Sequence, residues 1–405
     1  MNQALVADFR VGESSRVGRF APQMARMLYL LAGEHSGDTR GAELMTALQT
    51  MRPDWRFCGL GGPKMREISD GGVRDWVEDA AVLGVWEVLK RYSWFKARLE
   101  ETLREIEERA PDAVVFVDYP GFNLRAAWAL YQGGGSARLV NYVSPQVWAW
   151  NKGRIPRIAE SLDLMLCLFP FEKALFEDAG LKTVCMGHPM VDQLEAERIA
   201  VSRVPNLVGL FPGSREREVA RLFPMMIEVV AKLHGQYPEW TFEASAASES
   251  LQRRMRTILE EKEAQNLPIE IVCGQSHALM QSASCGVVTS GTATMEATYY
   301  GLPYCLVYKV AWPTYLAGRA VIDIEHLGMA NILAGRQIVH EFIQYEANVP
   351  NVSSFVESVM TDPVRRMELE SNLLETGAKL GGGGAAQVAA HAIVELLEEE
   401  PQREP

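Results

Sequence analysis

Two short stretches in the second half of the chain have the residue types that hold phosphate. One is Gly213, Ser214 and Arg215 within LVGLFPGSRERE; the other is Ser290, Gly291 and Thr292 within CGVVTSGTATMEATYYGLP. In each, an apolar run ends in small residues and a helical pattern follows. Unpaired backbone N–H groups and the positive end of a helix dipole then face whatever lies above the run. Arg215 can fork onto a phosphate, and Glu296, one turn into the second helix, can accept from ribose hydroxyls. The plainer alternatives are a capped helix without a ligand and a surface arginine paired with Glu218. Two such loops in one half favour a diphosphate. Neither is a Walker loop, since G-x-x-x-x-G-K-[ST] is absent.

The first half offers a different chemistry. VVFVDYPGFNL places Asp118 at the carboxyl end of an apolar run, where a carboxylate can take a proton from a substrate hydroxyl and Asn123 is close enough in sequence to orient a partner. The competing role for Asp118 is a cap on the following helix. In AGEHSGDTRGA, Glu34, His35, Ser36 and Asp38 form a dense polar set at another run's end. The glycines there do not match the dinucleotide fingerprint and serve equally for close helix packing, but a ligand-facing loop is the better reading.

These residues need elements to carry them. Apolar runs such as MLYLLAGE, AVVFVDYP, ARLVNYVSP, LVGLFPGS, CGVVTS and YCLVYKV alternate with amphipathic stretches along the chain. Runs too continuous for one-sided burial imply parallel sheets covered by helices on both faces. At 405 residues the chain is too long for one ordinary core. The polar, proline-punctuated stretch 186–206 is the natural boundary. The expectation is an α/β protein of two doubly wound, Rossmann-like domains whose strand ends face each other across a cleft. Residues 1–26 form an N-terminal extension expected to be disordered, with no apolar core of a secretory signal. The domains cover 27–190 and 191–375, and 376–405 is a flexible Gly run leading to a helix and an acidic tail. That helix can pack on the first domain or on a second copy of the chain, as in a homodimer.

No apolar run reaches the roughly 18 residues of a membrane span. Six scattered cysteines without a C-x-x-C pair suggest reduced core residues in a cytoplasmic protein, with no zinc site. A net charge of −12 argues against a nucleic-acid partner. It leaves room for local contact with an anionic membrane, because that depends on patches. Residues 85–103 read as a helix whose apolar stripe is flanked by Trp86, Lys90, Trp94 and Arg98, a mixture that suits a membrane interface, here the inner-membrane surface.

Taken in order, AGEHSGDTRGAEL, GLGGPKM, VDYPGFNLRAA, YVSPQVWAW, LFPFEKALFEDAG, GHPMVD, FPGSREREV, SGTATMEATYYGLP and MANILAGRQIVHEFIQ resemble the lipid-A-disaccharide synthases, glycosyltransferases of the GT-B type. The resemblance spans roughly residues 27–397. It implies transfer of a 2,3-diacylglucosamine unit from UDP to 2,3-diacylglucosamine 1-phosphate at the cytoplasmic face of the inner membrane. The first domain would bind the acceptor and the second the donor. It carries Asp118 over as general base, places Arg215, Glu296, Asn331 and Gln344 around UDP, and implies neither a cofactor nor a divalent metal. His35, Gly121, Gln146 and Asn151 depart from the family's usual residues, which bears on the acceptor more than on the reaction. The alternatives are a UDP-sugar epimerase of the same fold and a non-catalytic glycolipid-binding protein.

Overall fold

The computed structural model describes residues 25–80, 92–312, 315, 316, 318 and 324–399. Thirteen strands among them form two wholly parallel sheets. The first contains β1 (Met27–Ala32), β2 (Arg56–Gly61), β3 (Val73–Asp75), β4 (Ala113–Val117), β5 (Arg138–Tyr142), β6 (Leu164–Cys167) and β7 (Thr183–Cys185), in the order β3-β2-β1-β4-β5-β6-β7. The second contains β8 (Val204–Phe211), β9 (Thr241–Ala246), β10 (Ile269–Cys273), β11 (Ala283–Thr289), β12 (Tyr304–Tyr308) and β13 (Glu341–Ile343), in the order β10-β9-β8-β11-β12-β13. Both sheets are doubly wound, as expected.

Period-2 alternation accounts for the apolar runs. In β1 and β4, Leu28, Leu30, Val115 and Val117 enter one core layer. Their neighbours Tyr29, Leu31, Val114 and Phe116 enter the layer on the opposite face. A strand covered on both sides has no solvent face to mark with polar residues. Each large side chain so buried contributes about 1.5–3 kcal/mol.

Strand order also sets where ligands meet the protein. The direction of winding reverses between β1 and β4 in one sheet and between β8 and β11 in the other. Loops leaving the carboxyl ends of such a strand pair diverge to opposite faces and open a crevice. Glu34 and Asp118 follow β1 and β4; Gly213 and Ser290 follow β8 and β11. The candidate residues of both halves thus come from the switch-point loops.

The C-terminal helix Ala385–Glu398 returns to the first half and packs on the helix His35–Met51, where Arg52 pairs with Glu398 at 2.7 Å. The glycine run before it was expected to be a flexible tether; Gly382 is open to solvent, but Gly381, Gly383 and Gly384 are held against Gly187 and Asp192. Gly381 lies on Gly187 so closely that a Cβ on it would come within 2.9 Å of the Gly187 Cα. Both glycines have positive φ, 101° and 81°. His188 N–H donates to the Leu380 carbonyl at 2.7 Å, and Gly384 N–H to the Asp192 carboxylate at 2.8 Å. Where the chain enters the second half and where it returns, it therefore runs backbone to backbone.

Trp86 and residues 85–91 of the expected interfacial helix lie outside the described residues. The described part, Tyr92–Arg109, is helical. Trp94 does not stand out from it as a membrane anchor: it is half-buried, stacks on Trp76 at 6.1 Å and meets Phe95 edge-on at 4.8 Å. The aromatic surface beside Trp76 offers its indole a better partner than solvent. Among the described residues no helix is long and apolar enough to cross a membrane.

Candidate active site

In the first half, β4 ends at Val117, and Asp118 and Tyr119 both take left-handed backbone, φ 51° and 49°, before Pro120 starts the helix Pro120–Gln132. Two such non-glycine residues in succession cost roughly 1–2 kcal/mol each, a strain typical of functional loops. The loop is held from both sides. Asp118 N–H donates to the Tyr142 carbonyl at 2.7 Å. The Asn123 amide donates to the carbonyls of Asp118 at 2.7 Å and of Leu31 at 3.2 Å, joining the ends of β4 and β1.

Asp118 is no helix cap, since the following helix has no side-chain cap bond. Its Oδ2 accepts from Arg40 Nη1 at 2.7 Å, and the side chain stays 30% exposed. Glu34 lies on the same lip. Desolvation and the Asp118 charge push its carboxyl above the usual range, against the pull of Arg40. His188, beneath, is buried and accepts from Met190 N–H through Nδ1; burial and the Arg40 charge push its pKa down to about 4. It is therefore a neutral imidazole. Gly33 is required here, because a Cβ would fall 2.4 Å from the Tyr119 ring.

Of the residues expected on the acceptor side, Glu34, His35 and Ser36 are exposed at the strand end. Asp38 and Asn123 are not. Asp38 is 3% exposed and caps the helix Pro63–Ile68, accepting from the N–H groups of Gly62, Lys64 and Met65. Asn123 is 1% exposed and positions the Asp118 loop. Both are turned inward because the loops around them have backbone groups that need partners.

In the second half a pocket of about 520 Å³ opens above β8, β9, β10 and β11, lined by Gly213, Ser214, Arg215, Ser290, Gly291, Thr292 and Glu296 among others. The helices Glu216–Gln236 and Thr292–Tyr299 begin at its edge. Gly213 and Gly291 have φ of 113° and 152°, which lets the two turns bring backbone close to a ligand. Arg215 is 81% exposed and bonded to Glu218 at 2.9 Å, the plainer of its two expected roles. An exposed pair of this kind is worth less than about 1 kcal/mol, so the guanidinium is available to an anion.

Glu296 is 19% exposed, and burial raises its carboxyl above the usual range while His277 pulls it back. His277 bridges two carboxylates: Nδ1 lies 2.5 Å from Glu197 and Nε2 3.5 Å from Glu296. Sequence reasoning missed His277 and Glu197. The signal was present in IVCGQSHAL, where a third strand ends in a glycine with φ 69° and a helix opens with Ser276 and His277.

Asn331 and Gln344, expected around UDP, do not line this pocket. Asn331 is fully buried, accepting from the N–H groups of Ile338 and Val339 and donating to Glu341. Gln344 is 7% exposed and clasps Val310 with both ends of its amide. Each amide satisfies main-chain groups of a neighbouring loop, that before β13 for Asn331 and that after β12 for Gln344, which fixes it inside the fold.

The family model of lipid-A-disaccharide synthetase matches residues 28–372. The lipid-A-disaccharide synthase of Trichlorobacter lovleyi is 33% identical over 382 residues, covering 92% of this chain and 98% of that protein. That of Geobacter sulfurreducens is 34% identical over 381 residues, covering 91% and 97%. Among solved structures, MurG of Acinetobacter baumannii is similar with a TM-score of 0.57 at 11% identity, covering 91% of this chain and 99% of that one. The UDP-GlcNAc 2-epimerase of Neisseria meningitidis, solved bound to UDP-GlcNAc, gives 0.52 at 12%, covering 92% and 100%. These likenesses show a shared fold, that of the GT-B glycosyltransferases and the epimerases built like them. The match of family model and relatives over nearly the whole chain shows that this protein belongs to the lipid-A-disaccharide synthetase family.

Proposed function

We propose that the two switch-point crevices divide one reaction between them. The chain is a lipid A disaccharide-forming glycosyltransferase by its family. In our reading the second half holds UDP-2,3-diacylglucosamine and the first half presents 2,3-diacylglucosamine 1-phosphate to it, at the cytoplasmic face of the inner membrane. The observation that carries the reading is the state of Asp118. It is strained, pinned through its backbone, unused as a cap, and held by Arg40 through one carboxylate oxygen.

The other oxygen takes the proton of the acceptor's 6-hydroxyl as that hydroxyl attacks the donor's anomeric carbon. The bond from that carbon to the diphosphate breaks, and its electrons leave with UDP from the opposite face. One displacement inverts the α-linked donor to a β product and needs no covalent sugar intermediate. The charge gathered by the leaving diphosphate meets the N–H groups of the Gly213 and Ser290 turns, Arg215 and two helix N-termini, donors already in place before the reaction. Glu296, steadied by His277, suits the ribose hydroxyls.

A product assay tests this. With the diacylated donor, UDP release should require the diacylglucosamine 1-phosphate acceptor, yield a disaccharide and persist in EDTA. Epimerised UDP-sugar formed without acceptor would make the protein an epimerase, and binding without turnover a glycolipid carrier.

A further inference from the structure

Away from both crevices, the helices Pro120–Gln132 and Ile155–Ser161 flank a groove of about 400 Å³ lined by Leu124, Arg125, Trp128, Arg154, Arg157 and Ile158. The Arg157 guanidinium lies 4.0 Å from the Trp128 ring centroid. Arg154 lies 5.9 Å from that of Trp150, which is 47% exposed. Lys152 stands exposed between them in sequence. Among the described residues none of these four cations is paired with a carboxylate. The nearest in sequence, Glu160, accepts from the Tyr131 hydroxyl at 3.2 Å.

This concentration of charge runs against the whole molecule, whose net charge is −12. Like charges gathered around one groove repel, and their field is relieved only by an anion from outside. Two of the arginines also lie beside indole rings, one of them open to solvent. Indoles with an apolar body and a polar edge settle at a lipid headgroup boundary, and arginines beside them meet phosphate.

We propose that this groove docks the protein on an anionic phospholipid surface, with headgroup phosphates between Arg125, Arg154 and Arg157 and the rings of Trp128 and Trp150 at the headgroup level. The proposal rests on the reading that the substrates are membrane lipids, and it names the face that meets the membrane. Because the overall charge opposes approach, this face also sets the orientation of the bound protein.

Sedimentation with vesicles of phosphatidylcholine alone, or containing phosphatidylglycerol, tests it without substrate. The full chain should partition onto the anionic vesicles only, and lose that partition at 1 M salt, where the Debye length is about 3 Å. Each arginine replaced by Gln should weaken partition about fivefold, and R125Q/R154Q/R157Q together about a hundredfold. The corresponding triple Lys variant should keep most of it, and Trp150→Ser should weaken it. Turnover of substrates dispersed in detergent should be unchanged in the triple Gln variant, which also shows that it is folded. Wild type that ignores both vesicles would sink the membrane reading itself. Wild type and triple Gln variant partitioning alike would sink only this surface. Pyrophosphate binding measured by calorimetry under saturating UDP, present in the wild type and lost in the triple Gln variant while vesicle partition stays intact, would make the groove a soluble-anion site instead.

Discussion

Arg40 is the residue on which the proposed chemistry of the first half turns. It holds one oxygen of Asp118 at 2.7 Å, and its charge bears on Glu34 and on the buried His188. A base fixed at one oxygen presents the other in a single direction, and misplacement by about 1 Å is worth up to roughly a hundredfold in rate. Arg40→Leu should therefore lower kcat about ten- to a hundredfold while leaving UDP affinity unchanged, and Arg40→Lys should recover most of the loss. In an Asp118→Asn background Arg40→Leu should cost nothing further, because residues acting as a unit are not additive. An equal loss in both backgrounds, measured by steady-state kinetics, would reduce Arg40 to a structural ion pair. The position of Asp118 at a strand end was legible in the sequence, because the apolar run AVVFV stops just before it. Arg40 was not: it stands inside AGEHSGDTRGA, the same stretch as the polar set read there, but nothing in the sequence pairs it with Asp118, and only the fold brings residues 40 and 118 together.

At the scale of elements, strand ends and the helices that follow them were legible, because two-sided burial leaves continuous apolar runs and glycine marks the turns. What failed was the direction of polar side chains. Asp38, Asn123, Asn331 and Gln344 all sit where ligand groups belong in sequence, yet each is turned to main-chain groups of its own loops. A buried backbone donor and a bound ligand ask for the same side-chain types, so sequence alone does not separate them. The crossing between the halves shows the same limit. Its glycines suggested a tether, whereas they permit contact between Gly187 and Gly381 with His188 locked alongside. His188 gives that crossing a pH signature. Its pKa is about 4 in the folded chain and about 6.5 when unfolded. The unfolded state thus binds a proton that the folded state refuses across this interval. Stability from this group is complete above about pH 6.5 and falls as pH drops toward 4, by on the order of 2–3 kcal/mol. His188→Asn, which keeps an acceptor for Met190 N–H, should flatten the difference between urea midpoints at pH 7 and pH 4.5. An unchanged difference would place the proton elsewhere.

The whole molecule is two doubly wound sheets joined by a paired backbone crossing, with the C-terminal helix folded back on the first half. The length of the chain and its alternating apolar runs announced two α/β halves and left the C-terminal helix a choice between the first domain and a second copy; its return to the helix His35–Met51 depends on surfaces more than 300 residues apart, which no local pattern decides. Such an architecture lets one half bind and the other half catalyse, and that division is the central claim. Asp118→Asn tests it most directly, with UDP titrated by calorimetry and disaccharide formation followed on the same preparation. UDP should bind as to the wild type, because the pocket proposed for it opens above the second sheet, while kcat falls about a hundredfold to ten-thousandfold, the usual worth of a general base. Near wild-type turnover in Asp118→Asn, or loss of UDP binding along with activity, would contradict it.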